Sequence, residues 1–318
     1  MVSIIVPCRE ADDYLRECLS RCLELDYPSF EIMVLPDALP TWEPVSDSKV
    51  RFVPTGSSKP SIKRNMGIHA SGGEICAFLD SDAYPPRNWL RNAVKYFEKP
   101  EVAAVGGPSI TPGNVDPNQK VAGMIVSSTI AVGSLSFRNK LSPQKEIDDM
   151  PTCNMLVRRS VLERLGGFNV DYWPGEDTYL SLQIVKQLNM KIVYSPDVVV
   201  YHHRRPLWKP YLRQVAGFGR HRGYFAKKFP ENSRKILYFA PSLFVIALIA
   251  GIPLSLAYEG LRILYLAGVT AYLGACLIQG LTAKSLRTAL MVMAGTVLTH
   301  MTYGVTFIMG LLASELKE

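Results

Sequence analysis

Ile75-Cys76-Ala77-Phe78-Leu79-Asp80-Ser81-Asp82 is the stretch on which the reading of this chain turns. Five apolar residues stand between Gly72-Gly73-Glu74 and a pair of acids. A strand that is apolar throughout is covered on both faces, the mark of a mostly parallel sheet flanked by helices. In such sheets ligands sit beyond the C-terminal ends of the strands, and that is where Asp80 and Asp82 emerge. Two carboxylates leaving a buried strand are costly unless a cation meets them. Hard oxygen ligands of this kind suit Mg2+ or Mn2+, ions that bridge nucleotide phosphates. Taken alone, the pair reads equally as a turn cap, Asp80, beside a solvated Asp82.

Upstream, Val2–Val6 is a β-branched apolar run, and a helix is expected over about Ala11–Leu25. Tyr14, Leu15, Cys18, Leu19, Cys22 and Leu23 recur there at helical spacing. Further strands are expected at Glu31–Leu35 and Arg51–Val53, with a helix over Ile62–Ala70. This alternation defines an α/β domain. The six cysteines (Cys8, Cys18, Cys22, Cys76, Cys153, Cys276) contain no C-x-x-C pair and no disulfide framework, which fits a reducing compartment. Met1–Cys8 is too short an apolar run for a signal peptide, so the N-terminal part is expected in the cytosol.

The net charge of +7 is local. Tyr201–Lys235 carries ten Lys or Arg against the single acid Glu231, which leaves 25 basic and 27 acidic residues elsewhere. A basic belt followed at once by an apolar span points to anionic lipid head groups or diphosphates rather than to nucleic acid. Three uncharged stretches follow, over 236–258, 263–281 and 289–314, each near the roughly 20 residues that cross a bilayer as a helix. The belt, with Lys284 and Arg287, marks the cytoplasmic side, which leaves Glu315–Glu318 outside. The expected organisation is a cytosolic domain over 1–205, a basic amphipathic interface segment over 206–235 and a multi-pass membrane domain over 236–318.

Ser3-Ile4-Ile5-Val6-Pro7-Cys8-Arg9-Glu10, Lys63-Arg64-Asn65-Met66-Gly67, Gly72-Gly73 through Asp82, Asn154-Met155-Leu156-Val157-Arg158-Arg159-Ser160, Gly166-Gly167-Phe168 and Gly175-Glu176-Asp177 follow one another over residues 2–205. In that order and spacing they resemble the family 2 glycosyltransferases, inverting enzymes with the GT-A fold. Absence of a G-x-G-x-x-G or P-loop Lys removes support from dehydrogenase and NTPase readings. The resemblance implies a nucleotide-sugar donor, UDP- or GDP-linked, and a Mn2+ or Mg2+ cofactor. It places Pro7, Arg9 and Glu10 at the nucleoside, and Asp37, in Pro36-Asp37 where the family usually has two acids, on base or ribose. Lys63 and Arg64 are expected to neutralise phosphate or to be solvated helix residues. Asp82 is the expected metal ligand, and Asp80 contacts the ribose or supports the metal. His202-His203 ends a strand after Val198–Tyr201; either ring is placed to reach the metal or the diphosphate, or to sit at the surface before a turn, and His203 is carried as a further metal ligand.

Glu176-Asp177 resembles the family's catalytic pair at the start of a helix that runs to about Leu188. Asp177 is the expected general base and Glu176 orients the acceptor; a carboxylate is stable at a helix N-terminus, so Asp177 also reads as a simple cap. The acid that usually follows the pair is Thr178 here. Arg220 and Arg222 are expected to clamp the diphosphate. They sit with Gln214 where processive members keep Q-x-x-R-W, but no Trp follows and the spacing differs, which argues against a long-polymer synthase. The acceptor is expected to be a hydroxyl of a membrane-associated, lipid-linked glycan. Polyprenyl (dolichyl) phosphate as acceptor and a non-catalytic membrane scaffold or transporter subunit are the alternatives.

Overall fold

The computed structural model describes residues 1–42, 47–283 and 285–316. Its strands are β1 (Val2–Pro7), β2 (Phe30–Leu35), β3 (Val50–Phe52), β4 (Ile75–Leu79), β5 (Ala83–Tyr84), β6 (Val102–Gly106), β7 (Ser109–Ile110), β8 (Lys145–Ile147), β9 (Asn154–Arg158), β10 (Lys191–Tyr194) and β11 (Val200–His202). Eight of them form one sheet in the order β3-β2-β1-β4-β9-β6-β10-β8, and β5-β11-β7 form a second, small one. Within the large sheet β8 and β9 run against the other six strands. This is a GT-A-type α/β sheet, mostly parallel, as expected.

The apolar runs explain the sheet. All six residues of β1 are buried, and β4 is buried over Cys76–Leu79. Removing each large aliphatic side chain from water contributes about 1.5–3 kcal/mol. The first helix is Asp13–Leu23, shorter than the apolar pattern predicts, because Asp12 caps it by accepting from Leu15 N. Leu15, Cys18, Leu19 and Cys22 face the core, so these cysteines pack rather than bind metal. The helix Pro60–Ala70 lies tightly on the sheet, and a Cβ at Gly67 would run into Ile5.

By compactness the chain divides into two units, one of Met1–Ile110 with Lys140–His203 and one of Thr111–Asn139 with Arg204–Glu318. The chain passes between the units three times, the last time after His203, and the expectation of a cut at residue 205 does not foresee that 111–139 joins the helical unit. There the helices Pro117–Val126 and Thr129–Arg138, bent by 58° at their break, pack Val121, Ile125 and Ala131 with Leu207, Tyr211, Val215 and Val292. Apolar packing and hydrogen bonds remote in sequence make this grouping together, Gln119 Nε2 donating to Arg204 O at 2.9 Å and His300 Nε2 lying 3.0 Å from Ala131 O.

Three helices of the second unit, Ile236–Ala257, Glu259–Leu281 and Leu286–Leu312, are long and apolar enough to cross a membrane. The second begins earlier than expected because Glu259 and Arg262 pair along its first turn at 3.0 Å. Ser285 caps the third, so Arg287 is helical; Lys284 and 317–318 lie outside the described residues. The basic segment forms the helix Lys209–Lys228. Instead of only lying at an interface, it packs against Leu286–Leu312, and a Cβ at Gly219, Gly223 or Gly310 would collide with the opposing helix. Small residues permit this close approach, as in membrane helix pairs.

Candidate active site

The site is built where β1, β2 and β4 end. Lys63, one turn into its helix and 2% exposed, sends Nζ to Cys8 O at 2.6 Å and to Leu35 O at 3.4 Å, and pairs with Asp37. One ammonium thus ties together the loops after β1 and β2. Pro7 closes β1, and beyond it Arg9 and Glu10 stay exposed, with only a 3.9 Å pair between them. Asp37 is part-buried beside them.

Arg64 spans the site. Its Nη1 donates to Glu176 Oε1 at 2.5 Å and its Nη2 to Asp80 Oδ1 at 3.3 Å, with the guanidinium 5% exposed. Burial opposes its charge, but Glu176, Asp80 and Asp177 outweigh that and raise its pKa. Asn65 completes the brace by exchanging two 2.8 Å hydrogen bonds with the backbone of Phe168. Burial excludes the solvated alternative for Lys63 and Arg64. Both cations are buried and already paired; they hold the loops that carry the site.

Glu176 is buried, its second oxygen accepting from Gly175 N at 3.0 Å. Gly175 has φ +124°, a conformation that side chains resist, and it turns the chain into the helix Glu176–Leu182. That helix continues as a π turn over Gln183–Gln187, close to the expected end. Asp177 is half-buried, and its Oδ1 accepts from Thr178 N at 2.7 Å. Burial, then the charges of Glu176 and Asp149, push its pKa up to about 7. Asp149 is a residue the sequence reading missed. Nearly inaccessible, it accepts from Thr178 Oγ1 at 3.0 Å, so the hydroxyl that replaces the usual acid connects a carboxylate from elsewhere.

On the other side of Asp80, β5 pairs antiparallel with β11, setting Ala83 opposite His202. His202 Nε2 lies 3.1 Å from Asp82 Oδ1, and its Nδ1 lies 3.5 Å from Cys153 Sγ. His203, the imidazole carried as a ligand from sequence, turns instead to Glu17 Oε2 at 2.7 Å and against the Tyr14 ring. Alternation along a strand sends neighbours to opposite faces, so only one of the two can face Asp82. Ligand atoms of Asp80, Cys153 and His202 lie within 4.8 Å of one another. An ion with ligands at about 2.0–2.3 Å draws such atoms to roughly 3–4 Å, a small contraction. The donor set fits a divalent ion.

Arg220 and Arg222 belong to the helical unit. Arg222 donates to Ser233 Oγ at 3.3 Å and stacks over Tyr238, and Arg220 Nε is buried without a hydrogen-bond partner among the described residues.

A buried parallel sheet with acids and a cation brace at its strand ends defines a nucleotide-binding α/β enzyme. The chain belongs to glycosyl transferase family 2, whose model matches residues 3–166, and it is a glycosyltransferase. It is 24% identical over 268 residues, 78% of this chain and 80% of the relative, to the dolichyl N-acetyl-α-D-glucosaminyl phosphate 3-β-D-2,3-diacetamido-2,3-dideoxy-β-D-glucuronosyltransferase of Methanococcus voltae. It is 23% identical over 215 residues to glycosyltransferase AglE of Haloferax volcanii, covering 64% of this chain and 67% of that one. The fold is similar to the mannosyltransferase PcManGT of Pyrobaculum calidifontis, solved with GDP-Man and Mn2+, at a TM-score of 0.59 and 22% identity, over 98% of this chain and 86% of that one.

Proposed function

We propose that this glycosyltransferase is inverting and metal-dependent, and that it moves a sugar from a UDP- or GDP-sugar to a hydroxyl of a lipid-linked acceptor in the membrane. Asp177 carries this reading. A half-buried carboxylate with a pKa near 7 and one oxygen engaged by Thr178 N leaves the other oxygen to take a proton at neutral pH. A hydroxyl must lose its proton as it attacks the anomeric carbon, while a lipid phosphate is already anionic. The base therefore favours the hydroxyl over polyprenyl phosphate.

Asp177 accepts that proton as the new glycosidic bond forms and the bond from the anomeric carbon to the diphosphate breaks, with inversion at the carbon. Glu176, locked by Arg64, holds the position of its neighbour. Asp80, Asp82 and His202 are the residues of this chain suited to a divalent ion. Such an ion, when bound, supplies positive charge for the leaving diphosphate. The PcManGT complex with GDP-Man and Mn2+ supports donor and metal class, and the Methanococcus relative's dolichyl-linked substrate supports the acceptor class. The basic belt supports a cytosolic catalytic unit on a multi-pass membrane protein.

Purified protein in detergent, given a panel of nucleotide sugars with Mn2+ and lipid-linked acceptors, tests the reading by released nucleoside diphosphate. Release that is lost in EDTA supports it. Full activity in EDTA, or no release from any UDP- or GDP-sugar, refutes it.

A further inference from the structure

Three helices qualify as membrane spans by length and apolarity, but the packing around Leu286–Leu312 sets it apart from the other two. The basic helix Lys209–Lys228 runs beside it in the same direction. Leu207 lies against Gly295, and the Tyr211 hydroxyl is 3.0 Å from Thr299 Oγ1. Further along, Gly219 sits on Tyr303 and Thr306, Gly223 sits on Phe307, and Lys227 Nζ donates to Ala313 O. The shared stretch, from Gly295 to Ala313, is about 27 Å long at 1.5 Å per residue, close to the depth of a bilayer's hydrocarbon. Over that length the basic helix carries Lys209, Arg213, Arg220, Arg222, Lys227 and Lys228 and no acid. If Leu286–Leu312 crossed the membrane, this neighbour would cross with it and spread its cations through the hydrocarbon, where charge is expensive.

The directions of the helices agree. Successive spans alternate, so a first and a third span run the same way. Here Phe239 meets Phe307, Ser242 Oγ donates to Gly304 O at 2.9 Å, and Phe244 meets His300, so Ile236–Ala257 runs opposite to Leu286–Leu312. Glu259–Leu281 also runs opposite to it, with the Tyr272 hydroxyl 2.7 Å from His300 Nδ1 and Gly280 on Ala289. Yet these two helices form an antiparallel hairpin, Tyr265 Oη donating to Leu248 O at 3.1 Å. Both conditions hold only if Leu286–Leu312 lies across one end of the hairpin. Towards the hairpin's other end Ile249, Ile252, Leu256, Ile263 and Leu264 are more than half exposed.

We propose that the chain crosses the bilayer only as the hairpin 236–281, and that Leu286–Leu312 lies in the membrane interface on the side of the basic belt. Its exposed Leu286, Leu290, Leu298, Val305, Met309 and Leu312 fall on one helical stripe. That stripe faces the acyl chains, and the basic helix beside it faces anionic head groups. Two crossings return the chain to the side it left. Residues after Leu312 therefore share a side with the basic helix, opposite to the placement that three spans imply.

Side-specific labelling tests this on the full-length chain. The six native cysteines are buried, so single cysteines are introduced at the exposed Glu231, Gly260 and Ser314. A membrane-impermeant maleimide on sealed vesicles should label Glu231→Cys and Ser314→Cys from one side and Gly260→Cys from the other. Ser314→Cys reacting from the side of Gly260→Cys, or Gly260→Cys from the side of Glu231→Cys, overturns the proposal. A second measurement uses nitroxides at Leu290→Cys and Val305→Cys in lipid nanodiscs, with depth read from collisions with oxygen and a water-soluble relaxant. Equal depths, to within a helical turn, are expected. A helix that crosses would separate the two by about 22 Å along its axis, and a depth difference of that order overturns the proposal.

Discussion

Replacing Asp177 by Asn should move activity and stability in opposite directions. The amide keeps the oxygen that accepts from Thr178 N, so the local helix start survives. What disappears is a carboxylate whose pKa rises from 3.8 to about 7 through burial and the nearby Glu176 and Asp149. The folded chain therefore holds a proton here that the unfolded chain has already released above about pH 4. Asp177 contributes its full stability below that pH, and the contribution is lost as the pH rises to about 7. Above pH 7 the wild-type chain carries the whole cost of an ionised, half-buried carboxylate. About three pH units at 1.36 kcal/mol each set a ceiling of about 4 kcal/mol; solvent screening brings the expected cost to about 1–3 kcal/mol. Asp177→Asn removes that cost, so its melting temperature at pH 8 should exceed wild type by about 2–4 °C per kcal/mol. The two should converge towards pH 5. Transfer to the lipid-linked acceptor should fall by about 10²–10⁴-fold, the scale of a positioned general base, with donor affinity little changed. In the wild type, transfer should rise with pH through about 7 as Asp177 loses its proton. Thermal unfolding in detergent at both pH values and single-turnover transfer on the same preparation decide the matter. A variant that is less stable than wild type at pH 8, or that transfers within tenfold of it, refutes the reasoning. The second outcome would also move polyprenyl phosphate ahead as acceptor.

Arg64→Met should cost about 3–5 kcal/mol, because Glu176 stays buried with no counter-charge; denaturation in detergent measures it, and adding Glu176→Gln should recover part of the loss. Asp82→Asn should weaken divalent-ion affinity, since the ion loses a carboxylate ligand charge, as read by titration of the EDTA-stripped protein; unchanged affinity would remove Asp82 from the metal site. Gly223→Leu should separate the helix Lys209–Lys228 from Leu286–Leu312 and lower yield and melting temperature, while Gly217→Leu, at a position where a Cβ meets nothing, should not. Equal behaviour of the two glycine variants would contradict the close packing. The full-length chain should be monodisperse only in detergent or lipid; a monodisperse species in plain buffer on size exclusion would rule out the membrane spans.

Much of this protein is written locally. β1 and β4 are runs of apolar residues that have no stable place except inside a sheet, and the three C-terminal apolar helices lack the charges that a soluble helix would show on one face. The acids at residues 80, 82, 176 and 177 were legible because they follow a buried strand and a Gly-containing turn in family order. Chain neighbours and hydrophobic period suffice for such features. The remainder depended on which distant segments meet. Nothing in His202-His203 says which ring faces Asp82; the pairing of Ala83 with His202 chooses one and turns the other to Glu17. Lys63 and Arg64 look like surface helix cations until the close seat of Gly67 on Ile5 draws their helix onto the sheet, where burial demands acidic partners. Asp149 lies 29 residues before Thr178 and reaches it only in the folded chain. Cys153 is an unremarked small residue until β9 and β11 bring its sulfur beside His202. Short-range pattern sets which segments become strands and helices, but strand register and close packing set which side chains share a site, and these are fixed by contacts far apart along the chain.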